Sequence, residues 1–297
     1  MSEMSIALAL GGGGVKGISH IGILRALERN GFCIKGIGGA SIGALVGVFH
    51  GLGISADEME KIFQRLKRTR YSGHDRNSEP SFLGNRGLSD CLRETIGKRT
   101  FNDLRVPLVV TATEIKHGRE IFIQEGSLVD AVLASMALPG IFPAGQIDDM
   151  ELTDGGTLTP VPVTAARSLV DSQTPVVAVV LTAPLGVPAT MERITLPRFV
   201  PRWLAGRIKQ MRLIRALDVF LLSQDMLNRA ITKYNLDVSR PDLIIRPDVA
   251  HLYTLDKGYV TEIALKGDQA VRERLPDLMK LFSALPETDY PNEPRPA

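Results

Sequence analysis

The chain has 297 residues, 44% hydrophobic and 23% charged, an ordinary globular composition long enough for one large α/β domain or two small ones. Its formal charge of +2 gives nucleic-acid binding no global support. The two cysteines, Cys33 and Cys91, are far apart and lack metal-ligand spacing, which argues against a disulfide scaffold and suits a reducing, cytoplasmic address.

In chain order, Ser5 to Leu10 reads as a buried strand, Ile18 to Asn30 as a helix with apolar residues at helical spacing, and Cys33 to Ile37 as a second short strand. That is a β-α-β opening, and MSEMSIALALGGGG carries no basic leader. Ile42 to Gly51 continues as a small-residue helix and Ala56 to Lys67 as a more charged one. Tyr71 to Gly87, polar and glycine-containing, reads as a mobile entrance loop or a plain connection. Pro107 to Glu114 is an apolar strand, with Ile121 to Gln124 placed to pair with it as a hairpin, and Ser127 to Leu138 is a helix stopped by Pro139. Val176 to Thr182 and Leu243 to Ile245 supply further strands, and Tyr259 to Ala284 a long, partly broken helical region. Strands alternating with helices indicate a mostly parallel sheet covered on both faces.

Arg198 to Leu222 is the strongest basic amphipathic stretch, with Arg202, Arg207, Lys209, Arg212 and Arg215 alternating with Trp203, Leu204, Ile208, Met211, Ile214 and Leu217. It has two readings, a helix resting on anionic lipid or a surface helix with its apolar stripe in the core. No segment reaches about 18 uncharged apolar residues, so the membrane contact it implies is peripheral. The proline-rich end ETDYPNEPRPA reads as a frayed tail. A single catalytic domain over 1–285 is expected, with a motif-bearing core at 5–162, a C-terminal α/β part at 163–285 and a disordered tail at 286–297.

Three motifs carry chemistry. Gly39-Ala40-Ser41-Ile42-Gly43 fits the G-x-S-x-G nucleophile elbow, in which a serine occupies a tight strand-to-helix turn and the flanking glycines remove side chains that would collide there. It falls between a predicted strand and a predicted helix, the placement that mechanism requires; the bland alternative is a glycine-rich packing turn. The second motif is LALGGGGVKGISH, residues 8–20. A phosphate loop needs lysine after the last glycine and then a hydroxyl residue, but Lys16 precedes Gly17 and Ile18 follows. A dinucleotide loop fits Gly12, Gly14 and Gly17 but needs an acid at the end of the second strand, and Gly36 to Ala40 contains none. The remaining reading is an oxyanion hole, in which backbone N–H groups free of side chains converge on the charge formed when serine attacks a carbonyl. The third motif, Asp154-Gly155-Gly156, is by itself an ordinary turn signal.

Taken together and in this order, GGGGVKG, GASIG and DGG resemble the patatin-like phospholipase family, and ASMALPGIFPAG, Ala134 to Gly145, looks like that family's additional stretch between elbow and aspartate. The motifs cover about Ile6 to Pro162. The resemblance implies a three-layer α/β/α fold and a serine lipid acyl hydrolase working by a Ser-Asp dyad on lipid or other acyl-ester substrates; the histidines carry no metal-ligand spacing, so no cofactor and no metal are expected. It implies Ser41 as nucleophile, Asp154 as base, and Gly12, Gly13 and Gly14 as the oxyanion loop, with Lys16, Gly17, Gly39, Gly43, Gly155 and Gly156 supporting the motifs. Lys16 stands where the family commonly has arginine or lysine, to neutralise a nearby charge or to fix the loop. A Ser-Asp-His triad is the competing arrangement, and His251 is the only histidine after Asp154. His251 sits in a polar loop, His20 is placed for a structural hydrogen bond, and His50, His74 and His117 fall in turn-like contexts. A soluble esterase or thioesterase, a non-enzymatic lipid-binding protein and a nucleotide-binding protein are the other functional readings.

Overall fold

A computed structural model describes residues 3–68, 85–187, 212–252 and 259–283. In chain order the elements are β1 Met4–Leu10, α1 Ser19–Arg29, β2 Phe32–Ala40, α2 Ile42–Gly51, α3 Ala56–Arg68, α4 Arg86–Ile96, β3 Leu108–Glu114, β4 Arg119–Ile123 and α5 Leu128–Ser135. They continue with β5 Gly145–Ile147, β6 Met150–Asp154, α6 Val163–Arg167, β7 Val176–Val179, α7 Arg212–Ser239, β8 Leu243–Ile245 and α8 Val260–Ser283.

β1 shows why the molecule has three layers. Its alternation puts Ile6, Leu8 and Leu10 into a large core with residues of α1, α2 and α8, and Ala7 and Ala9 into a smaller one with Val163 and Ala166 of α6 and Leu236 of α7. A strand apolar on both faces belongs in the middle of a covered sheet. Each large side chain so buried contributes about 1.5–3 kcal/mol, while the alanines leave room for α6 to lie close. Arg25 ties the helices of the larger layer together, with Nη1 2.7 Å from Glu60 Oε1 on α3 and Nε 3.4 Å from Asp268 Oδ1 on α8.

The eight-stranded sheet runs β5-β6-β3-β2-β1-β7-β8, with β4 also paired to β3. The pairs β3/β2, β2/β1, β1/β7 and β7/β8 are parallel, and the antiparallel pairs cluster around β3 and β6. The hairpin expected between the strands at 107–114 and 121–124 is the β3/β4 pair.

Several expectations change. β2 extends beyond Ile37 to Ala40, because Gly38 and Gly39 pair with β1 on one side and β3 on the other; sheet hydrogen bonds on both edges override their turn propensity. Helix α1 begins only at Ser19, after a 3-10 turn over Gly14–Ile18. The C-terminal region is one helix through Pro276, not a broken one. α4, β5, β6 and α6 were not anticipated. Of the connection read at Tyr71–Gly87, positions 71–84 lie outside the described residues, while Arg86 and Gly87 open α4. Of the amphipathic stretch at Arg198–Leu222, positions 198–211 lie outside the described residues, and α7 runs from Arg212 well past it to Ser239. His50 is inside α2, not in a turn. The tail at 286–297 and His74 lie outside the described residues. Among the described residues, no helix is long and apolar enough to cross a membrane.

Candidate active site

The sheet register brings two distant motifs together. Residues 110 and 111 of β3 pair with β2 and with β4, and residues 112–114 pair with β6 and with β4. A strand has two edges, so β2 and β6 must follow one another along the edge opposite β4. β2 runs parallel to β3 and β6 antiparallel, so their carboxyl ends meet head on, with Ala40 opposite Thr111 and Asp154 opposite Ala112. The residue after β2 is Ser41, the last of β6 is Asp154, and Ser41 Oγ donates to Asp154 Oδ2 at 2.6 Å.

Ser41 occupies the turn between β2 and α2 with φ 53° and ψ −122°, a conformation rare for a residue with a side chain. Such strain costs about 1–3 kcal/mol and persists only where the surroundings enforce it. Here the Ser41 N–H donates to Ser135 Oγ at 2.8 Å, and Ser135 Oγ donates to the Thr111 carbonyl at 2.7 Å, which fixes the turn to β3. The Ser41 carbonyl accepts from Ala44 N at 3.0 Å and starts α2. The turn is tight enough to exclude side chains at its flanks. A Cβ on Gly43 would lie 2.1 Å from the Leu10 carbonyl oxygen, and one on Gly39 2.6 Å from Ala44 Cα.

Asp154 is buried and held at four points. Besides the Ser41 contact, its Oδ1 accepts from Gly156 N at 2.7 Å, its N–H donates to the Ala137 carbonyl at 2.9 Å, and its carbonyl accepts from Thr113 Oγ1 at 3.3 Å. Thr153 Oγ1 also donates to the Ala137 carbonyl, at 2.7 Å, so the stretch after α5 is sewn to β6. Gly155 is packed against β3, where a Cβ would lie 2.3 Å from the Thr111 carbonyl oxygen. Burial pushes the Asp154 carboxyl up to about 6, against the opposing pull of the hydrogen bonds from Ser41 and Gly156.

The glycine loop lies beside this pair. The Gly11 N–H donates to the Val179 carbonyl at 3.1 Å, and His20 donates from Nε2 to the Gly11 carbonyl at 2.8 Å, the structural hydrogen bond anticipated for it. Burial holds His20 neutral and pushes it down to about 4. The Gly12 N–H is turned to the Pro160 carbonyl at 2.9 Å, which removes it from the three oxyanion donors expected of Gly12, Gly13 and Gly14. What Gly12 supplies is room, since a Cβ there would lie 3.4 Å from Ser41 Cβ. Gly13 and Gly14 have φ of 156° and 58° and lead into the 3-10 turn whose Gly17 rests on Ile42. The Lys16 side chain is buried within that turn.

The histidine of the competing triad is elsewhere. His251 is exposed, 3.9 Å from Asp248, whereas the two carboxylate oxygens of Asp154 are engaged by Ser41 and Gly156. Ser135, Thr111 and Ala137, which hold the two motifs in place, were not singled out from the sequence; the available signal was a lone buried hydroxyl at the end of the apolar run LVDAVLAS.

The patatin-like phospholipase family matches this chain over residues 8–167. The chain is 36% identical over 163 residues to an uncharacterized NTE family protein of Mycobacterium tuberculosis, a match that covers 54% of this chain and 45% of that one. It is 34% identical over 178 residues to lysophospholipase NTE1 of Mycosarcoma maydis, covering 56% of this chain and 9% of the fungal protein. The chain thus spans less than half the length of the relatives it matches. Among solved structures, VipD from Legionella pneumophila aligns with a TM-score of 0.48 and 14% identity over 95% of this chain and 67% of that one.

Proposed function

The chain belongs to the patatin-like phospholipase family, and from that membership we propose that it is a serine lipid acyl hydrolase that cleaves carboxylic esters of lipids through Ser41 and Asp154. The observation that carries this reading is the 2.6 Å hydrogen bond from Ser41 Oγ to Asp154 Oδ2 at a strained strand-to-helix turn. Ser41 Oγ attacks the ester carbonyl while Asp154 accepts its proton; Asp154 then returns the proton to the leaving alcohol, and water attacks the acyl-serine with the same assistance. An ordinary aspartate, near 3.9, is a weak base for a hydroxyl. Burial strengthens Asp154 as a base and still leaves it ionised at neutral pH.

The oxyanion of the tetrahedral intermediate is assigned to the N–H groups of Gly13 and Gly14, together with that of Ile42, which as the first residue of α2 has no carbonyl partner within its own helix. Gly12 keeps the approach to Ser41 open. The test is release of free fatty acid from a panel of phospholipids, lysophospholipids and neutral acylglycerols. Release by the wild type and none by Ser41→Ala is expected, and equal release by both proteins overturns the proposal.

Peripheral contact with anionic membrane is part of the same reading. Residues 198–215 carry six basic side chains and no acidic one in the sequence, and beyond them Val219, Met226 and Leu227 of α7 are exposed. Each cation near an anionic surface contributes about 1 kcal/mol, screened by salt. Binding to anionic vesicles that weakens as salt is added is expected, and binding indifferent to salt overturns it.

A further inference from the structure

The carboxyl edge of the sheet carries a second feature that the dyad does not use. One register row crosses four strands, from Gly39 of β2 through Leu10 of β1 and Val179 of β7 to Ile245 of β8. Ser41 follows one end of that row and Arg246 the other, so both emerge from the same edge, three strand spacings or about 14 Å apart. Arg246 is exposed, and among the described residues its side chain is held at one point. Its Nη1 donates to the Thr182 carbonyl at 3.0 Å, which ties the guanidinium to the segment that leaves β7, three residues beyond Val179. Leu181, next to Thr182, is the residue against which Gly13 packs.

Two polar groups here are left with bonding capacity. Arg246 has no carboxylate partner among the described residues; Asp248, two positions on in sequence, pairs with Lys266 at 3.1 Å and lies 3.9 Å from His251. The Thr182 hydroxyl is buried, with the residue only 8% exposed, and has no hydrogen-bond partner among the described residues. A buried hydroxyl without a partner is unfavourable, and a guanidinium has five donors, of which Arg246 uses one among the described residues. We propose that Arg246 and Thr182 form a subsite for the phosphate of a phospholipid headgroup, with the ester to be cleaved held at Ser41. The planar fork of arginine suits phosphate oxygens, and the glycerol unit that joins a fatty-acyl ester to its phosphate, together with the reach of the arginine side chain, is of the right order to span three strand spacings. This inference rests on the lipid hydrolase reading for its biological sense, but its test does not depend on turnover.

The test is calorimetric binding of a monomeric, short-chain ether lysophospholipid, which has no ester to cleave, beside the matching neutral alkylglycerol and inorganic phosphate. Arg246→Gln is expected to weaken lysophospholipid binding at least about tenfold more than alkylglycerol binding, Arg246→Lys to restore part of the loss, and Thr182→Val to produce a smaller loss with the same selectivity. Inorganic phosphate is expected to compete weakly. If Arg246→Gln, folded as judged by its melting curve, affects both lipids alike or neither, the subsite is overturned. If inorganic phosphate binds the wild type as tightly as the lysophospholipid does, the site belongs to free phosphate and the headgroup assignment is overturned. Absence of fatty-acid release from every ester refutes the hydrolase reading and leaves this binding contrast standing.

Discussion

Two buried titratable side chains, one at the glycine loop and one in the proposed reaction centre beside it, are treated in opposite ways. At the glycine loop, His20 gives a single hydrogen bond to the Gly11 carbonyl and leaves Nδ1 without a partner. With its pKa down at about 4 it is neutral at physiological pH, and burial costs it no charge. At the end of β6, Asp154 has both oxygens and both backbone groups engaged, yet burial still raises its pKa to about 6, so near pH 7 it carries a charge its surroundings disfavour. The first region is arranged for rest and the second, on the proposed mechanism, for proton transfer. The difference teaches where strain is tolerated, because the disfavoured charge and the disfavoured backbone angle at Ser41 meet in one hydrogen bond.

The largest break in this contrast comes from removing the nucleophile. Ser41→Ala is expected to lower ester turnover by at least about four orders of magnitude with the fold retained, measured as kcat beside a melting curve. Asp154→Asn is expected to cost about three orders of magnitude in kcat and, unusually for a buried polar position, to stabilise the protein at pH 8. The sign follows from linkage. The folded carboxyl, at about 6 against 3.8 unfolded, holds its proton over that range while the unfolded chain releases it, so the wild type loses stability as pH rises from about 4 to 6. The difference of about 2 pKa units corresponds to at most about 3 kcal/mol, so the advantage of Asp154→Asn should be full above pH 6 and gone near pH 4.

Smaller effects are expected at the loop. Gly14, at φ 58°, should tolerate alanine at about 1–2 kcal/mol in stability but lose about a hundredfold in kcat, because the N–H groups proposed to face the oxyanion shift; equal kcat removes the loop from the mechanism. His20 should show the mirror image of Asp154 in acid. Its folded pKa, about 4, lies below the unfolded 6.5, so its contribution is present above pH 6.5 and is lost as pH falls towards 4. His20→Asn should therefore be less stable than the wild type at pH 7.5 by about 1 kcal/mol, for the weakened Gly11 contact, and show a shallower loss between pH 6.5 and 4. Part of the acid sensitivity will remain with His50, also lowered to about 4 by burial.

Much of this arrangement was legible in the residues themselves, but unevenly. The apolar run IALAL marked a buried strand, and G-A-S-I-G between a strand and a helix marked the elbow, because both are local patterns with local causes. The pairing of Ser41 with Asp154 spans 113 positions and is created by β2 and β6 sharing one edge of β3, a topological fact with no local signature. The family resemblance supplied that partner where spacing alone left a turn. The pairing of Ser135 with Ser41, 94 positions apart, was unreadable for the same reason, although a lone hydroxyl ending an apolar run marked the residue. The direction of the Gly12 N–H was equally unreadable, since a glycine run announces backbone freedom without saying which donors the neighbouring Pro160 will claim.

The central claim is that Ser41 and Asp154 work as a pair without histidine, and it is tested most directly by the rate of fluorophosphonate labelling as a function of pH, with the modified residue located by peptide mass analysis. A single adduct on Ser41 is expected, forming faster as pH rises through about 6, with the same profile in His251→Ala and His20→Asn and with that rise abolished in Asp154→Asn. An adduct on another serine, or an Asp154→Asn protein that keeps the wild-type profile while His251→Ala loses it, contradicts the dyad.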